Sequence, residues 1–250
     1  MLLLLFLLST ALSPRTEAGE IIGGHEARPH SRPYMAYLKI YDKNTHKTTQ
    51  CGGFLIRKDV VLTAAHCHGS SINVTLGAHN IQKWERSWQE IWTRKAIVHP
   101  SFNYDKRFND IMLLKLQRNA RLTKEVGLLS LPDSQTPLRP GQVCSVAGWG
   151  QVNRKAHLSA TLQEVEITVQ EDAKCKGRGR YKKYDGASQL CIGDPKKKKG
   201  TIQGDSGGPL VCDNVAQGII SYGKRNGSPP QVCTRISSFM PWIKDTLRKM

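Results

Sequence analysis

The 250-residue sequence is poor in acidic side chains, with 20 Asp and Glu against 37 Lys and Arg, which gives a formal net charge of +17. Its seven cysteines form no CxxC pair, and cysteine and histidine do not cluster at zinc-finger spacing, so neither a metal nor another cofactor is predicted. No tandem repeat, no long apolar run beyond the N-terminus and no basic groove with stacking aromatics is recognisable. These absences argue against zinc-finger, membrane-spanning, repeat and nucleic-acid-binding proteins.

The N-terminus begins with the apolar stretch MLLLLFLL and continues into a polar segment with Thr16 and Ala18 at signal-cleavage spacing. This pattern predicts a secretory signal over residues 1–18 and therefore a secreted protein. Secretion in turn predicts that the cysteines form disulfides with one thiol left over, although spacing alone does not fix the pairing. Asn73, in the sequence NVT, is the predicted N-glycosylation acceptor.

Positive charge is concentrated in two stretches, Lys174–Lys183 and Lys196–Lys199, and in the C-terminal tail. Such runs can be solvated loops, or they can form an electrostatic patch that binds a polyanion. For a secreted protein, a sulfated glycan such as heparin-like proteoglycan is the favoured polyanion, and nucleic acid is not expected.

Short β-rich runs punctuated by glycine, proline and asparagine follow residue 30 at even intervals. In EVEITVQ, apolar residues alternate with polar ones, which is typical of a strand with one buried face. The spacing predicts an all-β fold of antiparallel sheets, as in sandwiches or barrels. Only the C-terminal SSFMPWIKDTLRKM is helical in pattern, with Ser237 or Ser238 as the expected N-cap.

Three separated motifs supply the parts of an activated serine. A serine hydroxyl is a weak nucleophile near neutral pH, so it needs a neighbouring base and a carboxylate that orients that base. LTAAHC contains His66, NDIMLLKL contains Asp110, and GDSGGP contains Ser206. The order His, Asp, Ser is one of those used by serine hydrolases.

The motifs IIGGHEA, LTAAHC, DIMLL, GWG and GDSGGPL together resemble the chymotrypsin-type serine proteases, and they span the chain from Ile21 onwards. Within that family the sequence is most similar to the granzymes, with mast-cell chymases and cathepsin G nearby. The resemblance implies two packed, six-stranded antiparallel β-barrels, at about residues 30–125 and 130–236, and a C-terminal α-helix at about 237–248. It also implies a serine endopeptidase that is stored in cytolytic or secretory granules and acts on proteins in immune-cell cytotoxicity. A monomer is the default expectation for its oligomeric state.

The resemblance assigns a role to each catalytic residue. Ser206 is the nucleophile, His66 is the general base and then the general acid, and Asp110 fixes the histidine tautomer. The backbone N–H groups of Gly204 and Ser206 form the oxyanion hole.

The resemblance further implies that the protein is made as an inactive precursor, with residues 21–250 as the protease domain. A dipeptidyl peptidase is expected to remove the dipeptide 19–20. The freed α-amino group of Ile21 then pairs with Asp205.

The resemblance also pairs the cysteines and leaves one thiol, for which the apolar context VCTRI predicts a buried strand position. It pairs Cys51 with Cys67, Cys144 with Cys212, and Cys175 with Cys191, leaving Cys233 free.

The primary specificity pocket is placed by family position at Gly200, Ser221, Tyr222, Gly223 and Gln231. A trypsin-like pocket would need an aspartate at residue 200, so cleavage after Lys or Arg is not expected. Gln231 has no charge for selecting aspartate, and it partly blocks a deep apolar pocket. We therefore expect Asn, Met or Leu before the scissile bond. A chymase-like or cathepsin G-like preference for Phe and an aspartate preference are the alternatives.

A further alternative belongs to another functional class. Some members of this fold have lost triad residues and act as cationic binding proteins, and the high positive charge is compatible with an inactive glycan-binding protein. Retention of His66, Asp110 and Ser206 favours the protease.

Overall fold

The structure is a computed structural model that describes residues 23–133, 138–151, 158–177, 181–197, 205–224 and 226–250. The described residues contain strands, two α-helices, α1 (Asp172–Cys175) and α2 (Met240–Arg248), and 3₁₀ turns at Ala65–Cys67 and Ile236–Phe239. None of the described helices is long and apolar enough to cross a membrane. The strands are β1 (His25–Glu26), β2 (Met35–Asp42), β3 (Lys47–Arg57), β4 (Val60–Thr63), β5 (Ser71–Leu76), β6 (Gln89–Val98), β7 (Met112–Leu116), β8 (Val143–Gly148), β9 (Gln163–Thr168), β10 (Gln189–Ile192), β11 (Pro209–Cys212), β12 (Val215–Gly223) and β13 (Gln231–Arg235).

Strands β2 to β7 form a closed antiparallel barrel in the order β2-β3-β4-β7-β6-β5. In β5, Ile72, Val74 and Leu76 are buried while Ser71 is exposed, so the alternating sequence places one face in the barrel interior. Closure leaves the barrel without a free edge strand. The predicted first barrel is therefore confirmed.

Within the described residues, the second sheet contains seven strands in the order β1-β9-β8-β11-β12-β13-β10, and each described pair is antiparallel. The prediction of six strands for this half omitted β1, whose residues pair with Gln163 and Glu164. A bridge between Val169 and Ile192 joins the end of β9 to β10, so the sheet curls back on itself. The all-β, two-sheet, chymotrypsin-like architecture is confirmed, with β1 as an added edge strand.

Three disulfides join the cysteines in the pairs that the resemblance implies. The remaining thiol, Cys233, lies in β13 and is completely buried in the second core. Burial raises the pKa of this thiol, because the thiolate would be desolvated there. Cys233 is thus an internal thiol.

The C-terminal helix begins later than predicted, and it has no serine cap. The chain first makes the 3₁₀ turn, in which Ser238 Oγ donates to the Ala187 carbonyl at 2.6 Å. The N-cap of α2 is Phe239, without a side-chain hydrogen bond, and Pro241 lies in the first turn. The serine cap was predicted wrongly because a tertiary partner takes its hydroxyl.

Helix α2 leaves the second sheet and packs on the first-barrel core. Ile243 is buried in the cluster that includes the barrel interior. The Arg57 guanidinium donates to the Leu247 carbonyl at 2.9 Å, which ties the last turn to β3. The helix therefore covers the first barrel with its apolar face, and Arg248 stays exposed.

Candidate active site

His66 and Asp110 are brought together by the pairing of two strands. Strand β4 ends at Thr63, which lies opposite Met112 of β7. The 3₁₀ turn carrying His66 follows β4, and Asp110 lies two residues before β7, so the two residues emerge at the same end of the barrel. Sequence reasoning could not measure this proximity, which depends on the register of the pair.

Two contacts hold the His66 ring against the Asp110 carboxylate. The His66 backbone N–H donates to Asp110 Oδ1 at 2.9 Å, and His66 Nδ1 lies 2.7 Å from Oδ2. When Nδ1–H is donated to the carboxylate, Nε2 is left as the proton-accepting nitrogen of the neutral ring. The pair therefore has the geometry of an oriented general base.

The Asp110 carboxylate is fully buried and receives a third hydrogen bond. Ser221 Oγ donates to Oδ2 at 2.5 Å, and the Thr234 hydroxyl donates to the Asp110 backbone carbonyl at 2.8 Å. Burial by itself would raise the pKa of Asp110, but the charge of His66 and the hydrogen bonds from His66 and Ser221 outweigh it and hold that pKa below its usual value. Asp110 is thus kept ionised beside the imidazole.

Ser206 lies beside the turn that carries His66. Its carbonyl oxygen accepts from the Gly52 backbone N–H at 2.8 Å and lies 3.8 Å from Sγ of Cys67, the residue after His66. Gly207 has φ +83, and a Cβ there would lie 2.5 Å from the Gly52 carbonyl oxygen, so this turn requires glycine. The other predicted oxyanion donor, Gly204, lies outside the described residues.

Asp205 is buried and packed against two glycines. The Gly150 N–H donates to Asp205 Oδ1 at 3.0 Å. A Cβ at Gly148 or Gly150 would lie within 2.3 or 2.4 Å of that same oxygen, so only glycine leaves room for the carboxylate. Ile21, the predicted partner of Asp205, lies outside the described residues.

One cluster near the site has the spacing of metal ligands. A His66 ring nitrogen and the sulfur atoms of Cys51 and Cys67 lie within 4.8 Å of one another. The two sulfurs are bonded to each other in a disulfide, so neither is the thiolate that a metal ion requires. The cluster is therefore a disulfide packed beside the histidine.

The predicted pocket residues lie on β12 and β13. Gly223 pairs with Gln231 across the two strands, and a Cβ at Gly223 would lie 2.9 Å from Gln231 Cγ. The Gln231 side chain, which is 4% exposed, therefore covers Gly223. Burial raises the pKa of Tyr222 to about 12, so its hydroxyl is neutral near pH 7 and can serve as a hydrogen-bond donor. Gly200, the expected base of the pocket, lies outside the described residues.

Comparison with known proteins supports what the site geometry indicates. Residues 21–243 match the family model described as Trypsin. The chain belongs to the trypsin family of serine proteases. It is 58% identical to human granzyme B over 98% of both chains, and 54% identical to human cathepsin G over 98% of this chain and 94% of that protein. A solved structure titled "Structure of GrC" superposes with a TM-score of 0.87 at 51% identity, covering 91% of this chain and all of the other. The protein is a granzyme-like serine endopeptidase.

Two predicted surface features of this trypsin-family protease are partly described. Asn73 is partly exposed in β5, where its strand neighbours are Lys39 and Trp92. The described lysines of the basic stretches are exposed, and the two stretches meet at a groove of about 410 Å³ lined by both Lys174 and Lys197. Residues 178–180 and 198–199 lie outside the described residues.

The contact between Ser221 and Asp110 was missed by sequence reasoning. Ser221 was predicted only as a wall of the pocket, but its hydroxyl also donates to the Asp110 carboxylate from 111 residues away along the chain. No local pattern marks that contact, since it depends on how β12 of the second sheet packs against the loop before β7. Ser221 therefore connects the two parts of the site.

Proposed function

We propose that this granzyme-like protease cleaves peptide bonds with Ser206 as nucleophile, His66 as general base and Asp110 as the group that orients the imidazole. The observation that carries this proposal is the double contact between His66 and the buried Asp110 carboxylate. It fixes both the tautomer and the direction of the ring, which a base beside a serine hydroxyl needs.

The reaction then has two stages. His66 Nε2 takes the Ser206 proton as Oγ attacks the substrate carbonyl, and the imidazolium returns that proton to the leaving amine. Water, deprotonated by the same nitrogen, then hydrolyses the acyl-enzyme. The N–H groups of Ser206 and Gly204 stabilise the oxyanion in both stages, and loss of one such donor costs about 10²–10³ in kcat in a comparable site.

Activation is proposed to depend on the new N-terminus at Ile21. Once a dipeptidyl peptidase removes residues 19–20, the Ile21 ammonium pairs with Asp205, the residue before the nucleophile. The buried position of Asp205 supports this, because a buried carboxylate needs compensating partners. Removing one partner of a buried ion pair costs about 3–5 kcal/mol.

The primary specificity is proposed to follow from Gln231. Its uncharged side chain lies over Gly223 and so reduces the room for a substrate side chain in the predicted pocket. We expect the enzyme to accept Asn, Met or Leu before the scissile bond in preference to Lys, Arg or a large ring.

The biological setting is proposed to be a secretory or cytolytic granule of an immune cell. The predicted signal peptide and the similarity to proteins named granzyme B and cathepsin G support this. The exposed lysines of the two basic stretches support binding of a sulfated proteoglycan at the surface around their shared groove, which Glu171 and Asp194 line together with Lys174 and Lys197. We further propose that the enzyme is a monomer glycosylated at Asn73.

The experiment is a peptide-library cleavage profile of enzyme processed to begin at Ile21, compared with the matched Ser206→Ala protein. Cleavage by the processed enzyme that disappears in the variant supports the proposal, and the cleaved sequences give the primary specificity. Cleavage that persists in the variant would exclude Ser206 as the nucleophile. If neither protein cleaves, the cationic glycan-binding function becomes the better hypothesis.

A further inference from the structure

The backbone of Arg107 is anchored to the wall of the predicted specificity pocket. Arg107 lies in the loop before Asp110, and its carbonyl accepts from Gln189 Nε2 at 3.1 Å. The other end of the same amide, Gln189 Oε1, accepts from the Tyr222 hydroxyl at 3.2 Å. One glutamine therefore connects the loop to β12 and fixes where the Arg107 side chain begins.

The Arg107 side chain lies on an aromatic ring and has no anionic partner. Its guanidinium carbon is 4.5 Å from the centre of the Tyr104 ring, within the range of a cation–π contact. Among the described residues, no carboxylate lies within ion-pair distance of it. Arg107 Nη1 is shielded from solvent and has no hydrogen-bond acceptor. A shielded donor without an acceptor is unfavourable, so a shift of the side chain towards a ligand carboxylate would remove a cost that the present position carries.

Tyr104 also connects Arg107 to the catalytic histidine. The ring contributes to a cavity of about 290 Å³ whose other lining residues include His66, His68 and Phe102. The guanidinium is thus placed beside this cavity through Tyr104, while the backbone of Arg107 is tied through Gln189 to Tyr222 of the predicted pocket. These contacts connect Arg107 both to the cavity beside His66 and to the wall of the predicted pocket.

We propose that Arg107 binds the carboxylate of a glutamate or aspartate in the substrate, at one of the positions two to four residues before the scissile bond. This inference rests on the proposed proteolysis at Ser206. Arg107 offers a planar fork of N–H donors that matches a carboxylate, and stacking on Tyr104 reduces the freedom lost on binding. The acidic residue is recognised outside the primary pocket, where Gln231 carries no charge.

The test compares peptides that differ by a single isosteric change, glutamate or glutamine, at each of those positions in turn. The variant is Arg107→Ala, and the matched control is Lys106→Ala, which removes the same charge from the adjacent exposed position. In the wild type, kcat/KM should favour glutamate at one position by at least about tenfold. Arg107→Ala should abolish that ratio, and continued cleavage of the glutamine peptide shows that the variant is folded. Lys106→Ala should retain the ratio.

An equal kcat/KM for the glutamate and glutamine peptides in the wild type would overturn the proposal, as would a ratio that survives in Arg107→Ala. If no peptide is cleaved, the proposed proteolysis fails. The role of Arg107 is then decided separately by measuring the binding of the glutamate and glutamine peptides to Ser206→Ala by fluorescence anisotropy. Tighter binding of a glutamate peptide that depends on Arg107 supports it, and equal binding of both peptides overturns it.

Discussion

The Gly150 backbone N–H donates to Asp205 Oδ1 at 3.0 Å, and a Cβ at residue 150 would lie 2.4 Å from the same oxygen. The Gly150 N–H therefore holds the Asp205 carboxylate in place, and the missing side chain at Gly150 leaves room for it.

Gly150→Ala should displace the Asp205 carboxylate and impair both folding and catalysis. A contact this short forces the buried neighbours to move, and such overpacking costs about 1–3 kcal/mol. We expect a lower free energy of unfolding in urea and a lower kcat/KM. Gly177→Ala is the control, because a Cβ there meets no atom within 4 Å. Equal behaviour of the two variants would contradict the assigned packing.

Asp59 should stabilise the protein in a pH-dependent way. Burial would raise its pKa, but hydrogen bonds and charge interactions with Arg57 and Lys115 outweigh that effect and lower it. Because the folded pKa is below the unfolded value of about 3.9, the stabilisation is present above pH 4 and is lost as the pH falls further. Asp59→Asn should reduce the free energy of unfolding by about 1 kcal/mol at pH 7.

Urea titrations of the wild type and Asp59→Asn at pH 7 and pH 3 measure this difference, which should be smaller at pH 3. The control is Asp245→Asn, whose exposed ion pairs lie within the last turns of the chain and should have little effect. If the free energies of unfolding of the wild type and of Asp59→Asn differ by the same amount at both pH values, Asp59 does not make the stability depend on pH.

Cys233 should be unreactive in the folded protein. Its side chain is completely buried and burial raises its pKa, so little thiolate is available to an alkylating reagent. Iodoacetamide at pH 8 should modify no cysteine of the native protein and one in urea without reductant, as counted by mass spectrometry. Native labelling at Cys233 would show that the second core opens readily.

Gln231→Arg should shift the primary specificity towards aspartate. The new guanidinium would extend from β13 over Gly223, where a substrate carboxylate can form a charge-assisted hydrogen bond. We expect the ratio of kcat/KM for aspartate over asparagine peptides to rise about tenfold or more. An unchanged ratio in active enzyme would mean that residue 231 does not line the pocket.

Most of the fold could be predicted because its determinants are local or carried by motifs. The alternation in β9 predicts the inward side chains Val165 and Ile167, and both are buried. LTAAHC and NDIMLLKL each place a functional residue beside an apolar strand, so the His66–Asp110 pair followed once the strands were known to be neighbours.

The remaining features depend on partners that are distant in sequence. The Ser238 hydroxyl prefers the Ala187 carbonyl to a helix-capping role, and the Ser221 hydroxyl reaches Asp110 across the interface of the two sheets. Strand β1 has only two residues and both are exposed, so it leaves no hydrophobic pattern to recognise. Such contacts follow from register and packing, which local propensity does not encode.

The short strand β1 limits how far a processed N-terminus could move. His25 pairs with Glu164 of β9, and Glu26 is held by His79 at 2.8 Å. A stretch of four residues spans at most about 14 Å, so the proposed pairing of Ile21 with Asp205 must be made within that reach of His25. Under the proposed activation, β1 tethers the new N-terminus, so the Ile21 ammonium has a high effective concentration near the second sheet. Weakening β1 should slow or weaken activation even though Asp205 and Ser206 are unaltered.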